Sequence, residues 1–268
     1  MFLSSAQCIR NVENCLRSME IDKIYLGDCL ELMKEIPDNS IDLVVTDPPY
    51  VLETEGAGFF GKKQDEYMKG CKGSKDHVYG GERFVMKEIA GMSNGINTEV
   101  LDELCRVMKK INCYFFCSQK QIQMHLDYFV NKRGCNWNLI CWHKVDPIPA
   151  CGNKYLSDSE YVLFFREKGV KLFGSYDTKR TFYVTKANRA DKKRYGHPTC
   201  KPLDIVRNFI VNSSKEGELV LDPFVGSGTT AIACIREKRH YIGFELNKEY
   251  YENAQNRISN ELKNHTLF

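Results

Sequence analysis

The chain has 268 residues, 43% of them apolar and 27% charged, with a formal net charge of +3. That length and apolar content supply one substantial core, and no Pro/Ser-rich linker divides it, so a single domain over residues 1–268 is the expectation. Arg10, Glu13 and Arg17 interrupt the stretch where a signal peptide needs a continuous apolar run, and no later run reaches membrane-spanning length; a soluble, non-secreted, cytoplasmic protein is expected.

Taken in chain order, DKIYLGDC (22–29) reads as a strand whose Asp28 caps the short helix CLELMKEI, and IDLVVT (41–46) is a second strand. An irregular stretch from Val51 to about Asn97 follows. It contains the loose lysine run Lys62, Lys63, Lys69, Lys72 and Lys75 among glycines and reads as a long loop. Val100, Leu101, Leu104, Val107 and Met108 fall on one helical face, and NCYFFCS (112–118) is the next strand. A helix around Ile122, Leu126, Phe129 and Val130 leads into the strands NWNLICWHK (136–144) and EYVLFFRE (160–167). KPLDIVRNFIVNSS (201–214) has helical spacing, ELVLDPF (218–224) is a strand, TTAIACIREKR (229–239) a helix and HYIGFEL (240–246) a strand. A last helix is expected from about Asn247 to Leu262. Seven strands interleaved with helices, several apolar on both faces, give an α/β protein with a mainly parallel sheet and helices on both faces. Sheets of that kind bind ligands beyond the carboxyl ends of their strands.

Twelve cysteines are scattered through these elements without CxxC pairs or Cys/His zinc spacing, and they read as reduced core thiols, with no metal site. The charge is distributed unevenly. Between Lys179 and Arg194, seven basic residues (Lys179, Arg180, Lys186, Arg189, Lys192, Lys193 and Arg194) face one acid, Asp191, a local net charge of +6. A charge run is usually solvated surface; beside a functional edge it suggests a polyanionic partner.

Two strand ends stand out. TDPPY (46–50) follows a buried strand with an acid, two prolines that fix the backbone without offering amide hydrogens, and an aromatic ring. LDPFVGSGTT (221–230) runs from strand through a glycine turn into a helix; Gly226, Gly228 and Ala231 fit G-x-G-x-x-A, and Glu245 ends the next strand seventeen residues after Gly228. That layout suits a nucleotide-type cofactor, with glycines for close approach, helix amides, and an acid for ribose hydroxyls. No lysine follows the glycines as in a P-loop, and Asp222 at the mouth of the turn repels a pyrophosphate. A cofactor with an ammonium-bearing tail, an adenosine and no phosphate fits instead: S-adenosylmethionine.

TDPPY, HPTCKP (197–202) and DPFVGSGTT followed by GFE resemble the DNA amino-methyltransferases, which methylate the exocyclic amine of adenine or cytosine. The resemblance covers Ile24 to about Arg257. DPPY precedes the cofactor loop, the order of the permuted beta group. It implies a Rossmann-like, seven-stranded methyltransferase fold with one reversed strand. It also implies a catalytic tetrapeptide Asp47, Pro48, Pro49 and Tyr50, and a cofactor loop of Asp222, Phe224, Gly226, Gly228 and Thr229, with Glu245 on the ribose. Asp28, with Cys29 beside it, matches the position that meets the cofactor adenine, and Lys201 belongs to a motif near the methionine end. His197 either orients that turn or touches ligand. WHKVDP (142–147) is similar to a family segment whose tryptophan or lysine lies near the target pocket, while Trp142 also suits the core.

These residue types suit the chemistry. The lone pair of an exocyclic amine is delocalised into its ring. Asp47 can accept one amine hydrogen and the Pro48 carbonyl the other, favouring a tetrahedral nitrogen, and Tyr50 can stack on a base withdrawn from the helix. A carbon-5 cytosine methylase would need a cysteine nucleophile, typically after proline, and no Pro-Cys pair occurs. DPPY rather than SPPY favours adenine. Residues 51–97 and 167–195 are the candidate DNA-recognition insertions, with Lys179, Arg180, Arg189, Lys192, Lys193 and Arg194 as phosphate contacts. The expected partners are double-stranded DNA, a second copy in a homodimer and a cognate restriction enzyme. Cytosine 4-amino methylation, RNA adenine methylation and a non-enzymatic nucleic-acid-binding subunit are the rival readings. Intact DPPY and cofactor-loop motifs weigh against the last.

Overall fold

The computed structural model describes residues 19–50, 95–147 and 155–265. The chain divides into two units, Met1–Pro48 with Asn97–Phe268, and Pro49–Ile96. The lysine-rich stretch and nearly all of the 51–97 insertion lie outside the described residues, as does the N-terminal stretch before residue 19.

The first unit carries an eight-stranded sheet. Its strands are β1 (Lys23–Leu26), β2 (Leu43–Thr46), β3 (Asn112–Cys117), β4 (Asn136–Lys144), β5 (Ser159–Arg166), β6 (Phe182–Thr185), β7 (Leu219–Asp222) and β8 (His240–Glu245). Their order is β1-β8-β7-β2-β3-β5-β4-β6. Every neighbouring pair is parallel except β3–β5 and β5–β4, so β5 alone is reversed. The helices are α1 (Cys29–Met33), α2 (Thr98–Val107), α3 (Gln119–Leu126), α4 (Arg189–Tyr195), α5 (Leu203–Ser213), α6 (Thr229–Arg236) and α7 (Lys248–His265). One π turn, Asp127–Asn131, extends α3.

Local chemistry explains the boundaries. Asp28 caps α1, accepting from the amides of Leu30 and Glu31 at 2.9 and 3.3 Å, as its sequence position suggests. Asn97 caps α2, whose buried residues are Val100, Leu101, Leu104 and Val107. At the start of α3 the Gln121 side chain accepts from the Ser118 amide at 3.1 Å.

Strands β2, β3 and β7 are buried at every residue, which requires cover on both faces. Alternation along β3 and β5 shows what the two covers are. Tyr114 stacks between Phe164 and Phe209 of α5 at ring separations of 4.3 and 4.4 Å. The next residues in line, Phe115 and Phe165, turn the other way and meet Phe129 of the π turn at 5.4 and 4.5 Å. His125 is buried in that second cluster, and burial lowers its pKa to about 4, so the ring packs as a neutral aromatic. All eight described cysteines are free thiols, buried or half-buried.

The strand expected least was β6. It lies inside residues 167–195, which sequence alone presents as an insertion, and it makes the sheet eight strands wide instead of seven. FYVT is short, flanked by basic residues and alternates exposed with half-buried positions, the pattern of an edge strand with no apolar run to advertise it.

Candidate active site

Chain connections diverge at the middle of the sheet. β2 continues to β3 on one side, β7 continues to β8 on the other, and β2 pairs directly with β7. This is the switch point at which open α/β sheets form a crevice beyond their carboxyl ends. Asp47 follows β2 there, and the glycine turn follows β7. The two strand ends are tied together: the Thr46 hydroxyl donates to Asp222 Oδ1 at 2.9 Å, and the Phe224 amide donates to the same oxygen at 3.1 Å. Burial raises the Asp222 pKa to about 6 against these hydrogen bonds, and the nearby charge of Asp47 adds to the rise.

The turn itself needs its glycines. Gly226 and Gly228 have φ of +51° and +77°, and a Cβ on Gly226 would come within 2.8 Å of the His197 ring. His197 packs edge-on against Tyr250 at 4.4 Å, and burial with the charges of Lys201 and Lys192 lowers its pKa to about 3. Its place is therefore behind the turn, bracing it. Glu245 Oε2 accepts from the Gly226 amide at 2.8 Å, and Oε1 accepts from the Asn247 amide at 2.8 Å. Burial raises the Glu245 pKa although those amides oppose it. The Gly27 amide donates to the Glu245 carbonyl at 2.9 Å, which sets Asp28 and Cys29 at the neighbouring strand end. Cys29 is buried, and burial pushes its thiol up to about 12, so it is a packing group and not a thiolate. Phe224 is half-buried, and Thr229 is buried at the start of α6.

Lys201 comes from the HPTCKP turn and meets Asp47. Its side chain is only 7% exposed; its ammonium pairs with Asp47, donates to the Thr199 carbonyl at 3.2 Å and lies 3.5 Å from Glu160. Burial pulls the Lys201 pKa down, and Asp47 and Glu160 more than offset it. Glu160 is 2.9 Å from Lys144, and despite burial the two lysines hold its carboxyl down to about 2. Trp142 is a core residue: it is buried and donates from its indole to the Thr185 hydroxyl at 2.7 Å. Pro49 and Tyr50 begin the second unit.

Several residues here carried no sequence signal. Arg257 of α7 is buried and donates to the Ser227 carbonyl at 2.9 Å and the Thr229 hydroxyl at 3.0 Å, while its guanidinium lies 3.8 Å from the Tyr195 ring centre. One arginine in a polar helical stretch reads as surface. Glu160 reads as a strand-end charge, whereas Lys144 is the lysine of WHKVDP, the segment similar to one near the family's target pocket. The basic segment also differs from a uniform solvated run. Arg180 is 2.8 Å from Asp177, Arg189 donates to the Asp146 carbonyl at 2.7 Å, and Lys179, Lys193 and Arg194 are exposed. Lys192 is half-buried, with its pKa lowered by burial although Glu160 opposes the shift. It turns toward the Glu160–Lys201 group, away from the surface expected of it.

The sequence pattern of the DNA methylase family, N6/N4 type, matches residues 41–256. The chain belongs to that family. Its members transfer methyl groups to DNA with S-adenosylmethionine as donor. The type II methyltransferase M2.MboI of Moraxella bovis is 28% identical over 257 residues, covering 90% of each chain. The M1.HpyAVI complex with S-adenosylmethionine shares the fold with a TM-score of 0.61 at 23% identity, over 88% of this chain and 98% of that one. The cytosine-N4-specific PvuII methyltransferase does so with a TM-score of 0.60 at 19% identity, over 91% and 92% of the two chains. Among the described residues no helix is long and apolar enough to cross a membrane, and no group of side chains is arranged to hold a metal.

Proposed function

We propose that this DNA methylase acts on the exocyclic amine of adenine in duplex DNA, with Asp47, Pro48, Pro49 and Tyr50 as its catalytic segment. The observation that carries the reading is the position of Asp47 at the switch point, joined through Thr46 to Asp222 and the glycine turn. The residues fit the donor. A turn that a Cβ on Gly226 would crowd, a buried carboxylate at Asp222 and a carboxylate at Glu245 together suit an adenosine with an ammonium-bearing tail and no phosphate. Asp222, Phe224, Gly226, Gly228 and Thr229 would hold it, with Glu245 on the ribose, Asp28 and Cys29 toward the adenine and Lys201 toward the methionine end. When bound, S-adenosylmethionine supplies a methyl group on a sulfonium.

The chain's own residues prepare the acceptor. Asp47 accepts one amine hydrogen and the Pro48 carbonyl the other, so the nitrogen's lone pair is drawn out of the ring. Tyr50 stacks on the base and offsets part of the unstacking cost of roughly a few kcal/mol. Holding donor and acceptor in line supplies much of the acceleration. The exposed basic residues Lys179, Lys193 and Arg194 hold phosphates, and residues 51–97 and 167–195 furnish the DNA-recognition elements. A second copy of the chain and a cognate restriction enzyme complete the expected partners.

The test is direct. Purified protein, methyl-labelled S-adenosylmethionine and unmethylated duplex DNA are incubated, and the DNA is digested to nucleosides and separated. Label in N6-methyldeoxyadenosine is the expected result. Label in N4-methyldeoxycytidine would overturn the choice of adenine, and label transferred only to structured RNA would overturn the choice of DNA.

A further inference from the structure

The role assigned to Asp47 meets an obstacle in its own surroundings. To accept a hydrogen from the base amine, Asp47 must loosen its hold on Lys201, and a buried ammonium deprived of its carboxylate is costly. Lys201 is buried to 7% side-chain exposure and rests 5.1 Å from the centre of the Phe116 ring, which offers far less than a carboxylate. A second carboxylate is within reach. Glu160 Oε2 lies 3.5 Å from the Lys201 ammonium, while Glu160 Oε1 lies 2.9 Å from Lys144.

The fold delivers that carboxylate to the right edge. β5 is the reversed strand, so its first residues lie where β2, β3 and β4 finish; Glu160 stands opposite Trp142, and Tyr161 opposite Cys117. A glutamate placed for solubility would face water. This one is 18% exposed between two lysines that are 15% and 7% exposed. Among the described residues, the charged and titratable groups that act on this cluster include Asp47 after β2, Glu160 on β5, Lys144 on β4, Lys192 on α4, and His197 in the turn of Lys201.

We propose that Glu160 is a positioning residue for methyl transfer: it holds Lys201 as a shared cation, so that Asp47 can turn to the base amine while a carboxylate still faces the buried ammonium. The proposal rests on the methyl-transfer reading of Asp47. Without the charge of Glu160, Asp47 is the one of these two carboxylates left facing Lys201, the lysine draws closer to it, and the amine loses its acceptor. Losing one of the two carboxylates that oppose burial also makes Lys201 easier to deprotonate.

Single-turnover methylation of duplex DNA at saturating cofactor, measured across pH for wild type, Glu160→Gln and Glu160→Asp, tests this together with carbon-13 NMR titration of the Lys201 side chain, assigned with Lys201→Arg. Glu160→Gln should slow the transfer about tenfold or more. It should also move the Lys201 titration and the alkaline limb of the rate profile down by about one pH unit. Glu160→Asp, which keeps the charge, should restore most of both. Loss of rate in Glu160→Gln with the lysine titration and alkaline limb unmoved would reduce Glu160 to packing and overturn the proposal, as would a wild-type rate in that variant. If the wild-type protein transferred no methyl to DNA, the reading of Asp47 would fall, while the lysine titration would still decide whether Glu160 governs Lys201.

Discussion

Asp222 was legible in the sequence as an acid at the mouth of a glycine turn, but its state was not. Burial, Thr46 and Asp47 come from segments about 175 residues away in the chain, and only the folded strand pair brings them together. Its pKa, raised to about 6, gives a prediction with a definite sign. Below that value the carboxyl is protonated, and if Asp222 holds the ammonium of the cofactor tail as proposed, that attraction is lost. Affinity for S-adenosylmethionine should therefore fall as pH is lowered from 7.5 through 6 to 5, and Asp222→Asn should be weaker at pH 7.5 and nearly flat with pH. Calorimetric titration at the three pH values checks it; a wild-type affinity that does not fall with acid would contradict the assigned role. Arg257 and Glu160 were invisible for the same reason. Each is an ordinary residue in its local sequence and acquires meaning through a partner brought to it by the sheet.

At the scale of elements, the periodicities that define β2, β3, β7 and α2 are strong because those elements are buried on whole faces, and they were read correctly. β6 was missed because an edge strand of four residues needs no apolar pattern. The π turn after Leu126 was hidden for a different reason, since its apolar spacing continues the helix before it. The glycine turn after β7 was legible from its spacing, and the structure adds what a side chain would strike. Gly226→Ala forces a left-handed φ at a cost of about 1 kcal/mol and drives a methyl group toward His197. The expected result is cofactor affinity reduced about tenfold or more, with the far-ultraviolet circular dichroism of the wild type retained. Wild-type affinity in Gly226→Ala would show that the turn tolerates a side chain and does not approach the cofactor closely.

For the whole molecule, a net charge of +3 hides a basic segment whose later part, Lys186 to Arg194, follows β6 at the carboxyl edge of the sheet. The sequence revealed the +6 run; the fold sorted it. Arg180 and Arg189 have acidic or carbonyl partners, Lys192 turns inward, and Lys193 and Arg194 remain exposed on α4. Replacing Lys193 and Arg194 by alanine should weaken DNA binding equally at all sequences and reduce the slope of log affinity against log salt by about 0.9 for each phosphate that is no longer neutralised. An unchanged slope would make them solvated surface. The domain-level expectation set residues 51–97 apart as an insertion for want of apolar periodicity, and the second unit, Pro49–Ile96, falls on nearly the same residues.

Methyl transfer to adenine in DNA, centred on Asp47, joins a chemistry, a base and a residue in one proposal. Single-molecule sequencing of DNA from cells expressing the wild-type chain or Asp47→Ala tests all three at once. Modified adenines in a short recurring sequence context are expected with the wild type and none with Asp47→Ala, whose cofactor affinity should stay close to normal because the interaction it removes belongs to the reacting centre. Modification of cytosine, or adenine modification that persists in Asp47→Ala, would contradict it.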